Sequence, residues 1–239
     1  MKLKHITFTG IDARTDVQEL RAIQEQYPIA EFGVLTSYHW FENGNRYLEP
    51  RRLNDLQWRE LNLSLHVCGE AAHNAAMGRY VSDTYHLAWG QLGLFQRIQL
   101  NIANRQDNPA TVRSSQCKEI IIQQRCATEV ELFLNSMRAD HNAVFSVLLD
   151  ASGGQGIDTP IEVLSNVSDN GTSKFKVGYA GGINPDNVSD KLTFLMENEQ
   201  VGDFWIDMES GVRTDDWFDL NKVRKVLEIC EPIINTYKA

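Results

Sequence analysis

A chain of 239 residues, 42% hydrophobic and 23% charged, has the apolar content to bury a sizeable core. Its net charge of −9, with no stripe of cations, argues against a nucleic-acid or anionic-membrane surface. No apolar run approaches the ~20 residues of a membrane span, and "MKLKHITFTG" lacks the apolar centre of a signal peptide. The expected location is therefore cytoplasmic. Cys68, Cys117, Cys126 and Cys230, widely spaced, read as reduced thiols.

In chain order, short apolar runs alternate with segments of helical period. "LKHITFT" is the first predicted strand, followed by "TDVQELRAIQEQY", where Val17, Leu20 and Ile23 recur at helical spacing. "AEFGVLTS" is the second strand, and "EPRRLNDLQW" opens a helix with Pro50 near its first turn. "LNLSLHVCG" is the third, with "EAAHNAAMG" and "SDTYHLAWGQLGLF" helical after it. "RIQLNI", "KEIIIQQ", "FSVLLDA", "FKVGYAGG" and "DFWIDMES" supply strands four to eight. The helical stretches among them are "VELFLNSMRA", "PIEVLSNV" and "NPDNVSDKLTFLMEN", and "DLNKVRKVLEICEPIINTY" closes the chain. Eight β-then-α units demand a parallel sheet with right-handed crossovers. At this length, near the ~250 residues typical of the fold, they predict an α/β protein, a (β/α)8 TIM barrel. Residues 1–239 are expected to form a single domain.

Such barrels carry function on the loops after the strand C-termini, and phosphate commonly binds after strands seven and eight. The loop after strand seven is "GYAGGINPDN", with Gly181 and Gly182 adjacent. After strand eight comes "DMESGVRTDD", with the small pair Ser210 and Gly211. A tight turn explains one such loop, whereas two at both phosphate positions point to an anion held by backbone N–H groups. Asp150 ends an apolar strand over the Gly-rich loop "GGQG", a place where a carboxylate in a barrel is functional more often than a cap. His66 and Cys68, two apart at the end of strand three, leave the same face of that strand. They read either as a titratable pair at the barrel mouth or as a satisfied interior histidine beside a small apolar thiol. The spacings of His66, His73 and His86 with Cys68 match no zinc pattern, so no metal or organic cofactor is expected.

Taken together, "LLDASGGQG", "GYAGGINPDNV" and "WIDMESGV" resemble the phosphoribosylanthranilate isomerase family of tryptophan biosynthesis. "NRYLEPRRLNDL", "RIQLN" and "ITFTGI" extend the resemblance over most of the chain outside residues 70–95. It implies an Amadori rearrangement of an N-linked phosphoribosyl group to an open-chain ketose phosphate. That chemistry needs an acid for the ring oxygen and a base for the proton at C2. By the family's motifs, Asp150 would be the acid. Gly181, Gly182, Ser210 and Gly211 would hold phosphate. Arg46 would grip the anthranilate carboxylate, Asp207 would reach the ribose or amine side, and Gly154 would sit in a mobile flap at the substrate. The family's base is a cysteine on strand one, and Thr9 fills that slot here. Thr7 replaces the strand-one lysine, and Asn101 replaces a histidine on strand four. His66 or Cys68 is the alternative base. The expected partner is a small phosphorylated sugar-type ligand, bound by a monomer or homodimer. Two other readings stand beside the isomerase: a phosphometabolite-binding barrel without turnover, and a lyase or aldolase on the same scaffold. The last needs a Schiff-base lysine, and Lys118 lies at the wrong end of its strand.

Overall fold

The computed structural model describes residues 2–37, 44–49, 52–53, 58–77, 93–102, 111–112, 118–125, 138–139, 144–153, 155–158, 160, 176–198 and 203–238. Eight parallel strands close into a barrel: β1 (Lys2–Thr9), β2 (Ala30–Thr36), β3 (Leu63–Cys68), β4 (Phe95–Asn101), β5 (Glu119–Gln124), β6 (Val144–Leu149), β7 (Lys176–Tyr179) and β8 (Asp203–Met208). The expected barrel is the observed one. Closure is made by β1 against β8, where Ile6 faces Ile206 and Thr7 faces Asp207 in register. All eight predicted strands appear within a few residues of their expected limits.

Outward-facing apolar residues of the strands meet the helices. On α1 (Val17–Gln26), Val17, Leu20 and Ile23 are buried, and the Asp16 side chain caps the first turn by accepting from the Gln18 N–H at 2.8 Å. The other described helices are α2 (Gly69–Ala76), α3 (Val188–Asn198) and α4 (Leu220–Lys238). Along α4, Val223, Val226, Leu227, Cys230 and Ile234 form the buried stripe. Helix α3 begins four residues later than its sequence pattern suggests. Asn184 and Asn187 cause the delay: Asn184 Oδ1 accepts from the Asp186 N–H, and Asn187 Oδ1 accepts from the Asn184 N–H. Of the helices expected over 49–58, 82–95, 130–139 and 160–167, most residues lie outside the described ones. Where described, Arg52 and Leu53 sit in a 3-10 turn, Phe95 opens β4, and Arg138–Ala139 pair as a short strand with Thr111–Val112 instead of ending a helix. Among the described residues, no helix is long and apolar enough to cross a membrane.

The barrel interior departs from the usual filling of branched aliphatics. Near its floor, Arg97 of β4 pairs with Glu31 of β2 (Nη1 to Oε1, 3.1 Å) and with Glu119 of β5 (Nε to Oε1, 3.5 Å). Thr7 Oγ1 donates to Glu31 at 3.0 Å, and Lys176 Nζ reaches Glu119 at 2.7 Å. The Arg97 guanidinium also lies 4.2 Å from the ring centroid of buried Trp205. Above this charged layer the interior opens into the mouth.

Candidate active site

The C-terminal ends of the strands surround a pocket that opens to solvent. Its lining draws on β1 (Thr9), β3 (His66), β4 (Gln99, Asn101), β8 (Asp207) and the residue that follows β6 (Asp150), with Gly181, Gly182 and Ser210 from the next loops. These positions converge because each ends an inward-facing run two residues apart, the period of a strand. Arg46 and Glu209 complete the rim.

Asp150 follows β6 immediately, and its backbone N–H continues the ladder to Gln124 O at 2.9 Å. Its carboxylate is fixed from two directions. Gln123 Nε2 donates to Oδ2 at 2.7 Å; the Ser152 hydroxyl and N–H donate to Oδ1 at 2.6 and 3.1 Å. Asp150 is 4% exposed, so its position is set by packing and donors together.

Thr9 donates through Oγ1 to Asp207 Oδ1 at 2.8 Å. Burial, with Glu31 and Glu209 nearby, pushes the Asp207 carboxyl up to about 8 against the opposing pull of the Thr9 hydroxyl. His66 lies within the same cluster: Nε2 is 3.0 Å from Ser64 Oγ and 3.5 Å from Thr9 Oγ1, and Nδ1 is 3.9 Å from Asp207 Oδ2. Burial, helped by Arg97, lowers His66 to about 3, so it is neutral at any physiological pH. Both members of the strand-three pair do leave the inner face. Cys68, however, stands beside the pocket rather than in its lining. Its Sγ accepts from Asn101 Nδ2 at 3.3 Å, and burial pushes the thiol up to about 12. His66 is unprotonated but too weakly basic to take a proton well, and Cys68 keeps its own, so neither is suited to act as a general base near neutrality.

Arg46 sits at the rim, already engaged by two acids. Its Nε donates to Asp216 Oδ1 at 2.8 Å, and Nη1 donates to Glu209 Oε1 at 2.9 Å. Asp216 is presented by a two-residue hairpin turn in which Asp215 and Asp216 both take positive φ (50° and 61°). The turn joins the short strands Arg213–Thr214 and Trp217–Phe218. Buried Arg213 ties this hairpin to β1, donating to Gly10 O at 2.6 Å and pairing with Asp12 at 3.2 Å.

The glycines of the phosphate loops have specific local reasons. Gly181 and Gly182 take φ of 105° and 64°, which side-chain-bearing residues rarely adopt. A Cβ on Gly182 would lie 2.5 Å from Asp158 Cα, and one on Gly211 would lie 2.0 Å from Ile183 O. These two residues therefore let the loops after β6, β7 and β8 interlock. Room for a ligand is not what excludes a side chain at either. Among the described residues, none accepts a hydrogen bond from the N–H of Gly181 or Gly182. Lys191 of α3 fastens the arrangement, donating to Gly181 O at 3.2 Å and pairing with Asp158 at 2.6 Å. The 3-10 turn Ser210–Val212 brings Ser210 to the pocket edge. Gly154, expected in the flap, lies outside the described residues, as do His86, Cys117, Cys126 and the rim aromatics Tyr38, Trp40 and Phe41.

Sequence reasoning missed Gln123, Ser152 and Glu209, the groups that hold Asp150 and Arg46. It also missed the Glu31–Arg97–Glu119 layer. Charged residues inside strands buried on both faces were the available signal, since such groups must be paired. Among the described residues, no cluster of three or more His, Cys, Asp or Glu side chains could hold a metal ion.

The family model for N-(5'phosphoribosyl)anthranilate (PRA) isomerase matches residues 96–229. Among solved structures, N-(5'-phosphoribosyl)anthranilate isomerase from Pyrococcus furiosus is similar over 95% of this chain and 98% of that one, with 18% identity and a TM-score of 0.51. Phosphoribosyl anthranilate isomerase from Thermococcus kodakaraensis gives the same coverages, with 14% identity and a TM-score of 0.53. At these identities the two structures speak to the fold. Comparison with curated proteins gives no match.

Proposed function

Because the chain belongs to the N-(5'-phosphoribosyl)anthranilate isomerase family, we propose that it isomerises an N-linked phosphoribosyl compound to an open-chain ketose phosphate. The observation that carries this reading is a single pocket shared by Asp150, Asp207 and the glycine loops after β7 and β8. Asp150 serves as the acid that protonates the ring oxygen, its carboxyl aimed by Gln123 and Ser152. The N–H groups of Gly181, Gly182, Ser210 and Gly211 receive the phosphate, which fits the ordinary role of these loops in barrel enzymes. Arg46 grips the carboxylate of the aglycone once Glu209 or Asp216 yields to it. No metal or organic cofactor enters the reaction, and the enzyme works in the cytoplasm as a single-domain monomer or homodimer. Tryptophan biosynthesis is the pathway that the family implies.

A second reading rests on Thr9. An alcohol in the slot of the family's thiol base suits a barrel that binds the phosphorylated ligand without turning it over. Fluorescence of freshly generated phosphoribosylanthranilate separates the two. Under the isomerase reading the signal decays with enzyme present, and Asp150→Asn slows kcat by ~10²–10⁴-fold, the usual worth of a positioned acid. A stable signal, while ribose 5-phosphate still raises the melting temperature, would select the binder.

A further inference from the structure

The isomerisation needs a group that takes the C2 proton, and Thr9 has no charged form near neutrality with which to do so. We propose that the Asp207 carboxylate is the base and that Thr9 positions it, an inference that rests on the isomerase reading of the site. The geometry selects Asp207 from the groups that share the pocket. Asp150 is already committed as the acid, its carboxyl aimed by Gln123 and Ser152. Glu209 is paired at the rim with the Arg46 guanidinium, a cation that favours its charged form and weakens it as a base. His66 is neutral and bound to Ser64, and the Cys68 thiol keeps its proton. In Asp207 only Oδ1 is engaged, by Thr9 at 2.8 Å, while Oδ2 accepts no hydrogen bond among the described residues. The residue is 5% exposed, so Oδ2 has little solvent competing for it.

The groups facing Asp207 explain its basicity. Glu31 of β2 and Glu209 of the following loop disfavour its charge, while Thr9 of β1 and Arg97 of β4 favour it. His66 of β3 is neutral. Burial outweighs the favourable contacts, so the carboxylate that does form is a stronger proton acceptor than an ordinary aspartate.

The step balances. With Asp150 having given its proton to the ring oxygen, the opened substrate is an iminium ion. Asp207 takes the C2 proton, the C–H electron pair becomes the C1=C2 bond, and the imine pair moves to nitrogen. Neutral Asp207 then returns the proton to C1 as C2=O forms, and the C2 hydroxyl proton passes to the Asp150 carboxylate. Both groups are restored, and no oxidant, reductant or co-reactant is consumed.

The test is kcat/KM for phosphoribosylanthranilate from pH 6 to 9.5 in the parent, Thr9→Val and Asp207→Asn. The parent should rise through a midpoint near 8, the value held by Asp207 in the free enzyme. Thr9→Val should stay active and move that midpoint upward, because it removes a donor to the charged form. Asp207→Asn should lose the limb and ~10²–10⁴-fold in kcat. An Asp207→Asn protein that keeps the limb, or keeps kcat, overturns the base assignment and leaves the isomerase reading standing. So does a Thr9→Val midpoint that does not move. A parent without turnover at any pH overturns the reading and, with it, the base.

Discussion

Arg97→Ala is expected to destabilise the barrel by about 3–5 kcal/mol, the cost of leaving a buried carboxylate without its partner. Arg97 stands between Glu31 and Glu119 at 3.1 and 3.5 Å. Glu119 keeps Lys176 at 2.7 Å when the arginine goes, but Glu31 is left with the Thr7 hydroxyl and with His5 at 4.0 Å. His5 offers little charge at neutral pH, because burial lowers its pKa despite the pull of Glu31. Folded domains have only about 5–15 kcal/mol in total, so the variant should approach unfolding at ordinary temperatures. Urea denaturation measures the loss directly. The double variant Arg97→Met, Glu31→Gln should recover most of it, since replacing both charges removes the desolvation problem. An Arg97→Ala protein within 1 kcal/mol of the parent would mean that the ion layer is not load-sharing, and the description of the barrel floor would be wrong.

Asp207→Asn should have the opposite effect on stability, and the gain should depend on pH. In the unfolded chain an aspartate titrates near ~3.9, whereas in the fold Asp207 is pushed up to about 8. Between these values the folded protein holds a proton that the unfolded chain releases, so rising pH favours unfolding. The parent therefore loses about 1.4 kcal/mol per pH unit relative to the asparagine variant across this window. Below it both states are protonated, and above it both are charged, so the difference levels off at each end. The variant keeps an amide oxygen able to accept from Thr9, which limits the loss of contacts. Urea midpoints of the two proteins at pH 5 and pH 8 read the effect. A gap that is the same at both pH values would place the Asp207 pKa in the normal range and remove the physical basis for its role as base. A gap that widens at pH 8 is the mark of a site that sacrifices stability for chemistry.

The barrel was legible because its strands bury apolar residues. Leu63, Leu65 and Val67 on β3, or Ile120 and Ile122 on β5, announce themselves as apolar runs whatever lies on the inner face. Asp150 and the glycine pair were legible for a related reason, since chemistry in this fold collects where strands end. The partners of these residues were not. Thr9 and Asp207 are 198 residues apart and meet because the barrel closes, with β1 beside β8 in a register that no local pattern encodes. Arg46 and Glu209, 163 residues apart, are brought together by two loops rather than by any regular element. The glycines show a different limit. Their spacing reads as room for a ligand, yet at Gly182 and Gly211 the neighbour that forbids a side chain is the protein's own backbone. A requirement for glycine is visible in sequence; its cause is a matter of three-dimensional packing.

Conversion of a cyclic aminoside to a ketose is read most directly from the product itself. Proton NMR of phosphoribosylanthranilate incubated with the enzyme should show the anomeric C1–H signal replaced by a C1 methylene, in amounts matching the loss of substrate. The same incubation with Asp150→Asn should leave the anomeric signal in place over the same interval. Persistence of that signal with the parent enzyme, or its decay to free anthranilate and ribose 5-phosphate alone, would contradict the assignment of this pocket to isomerisation.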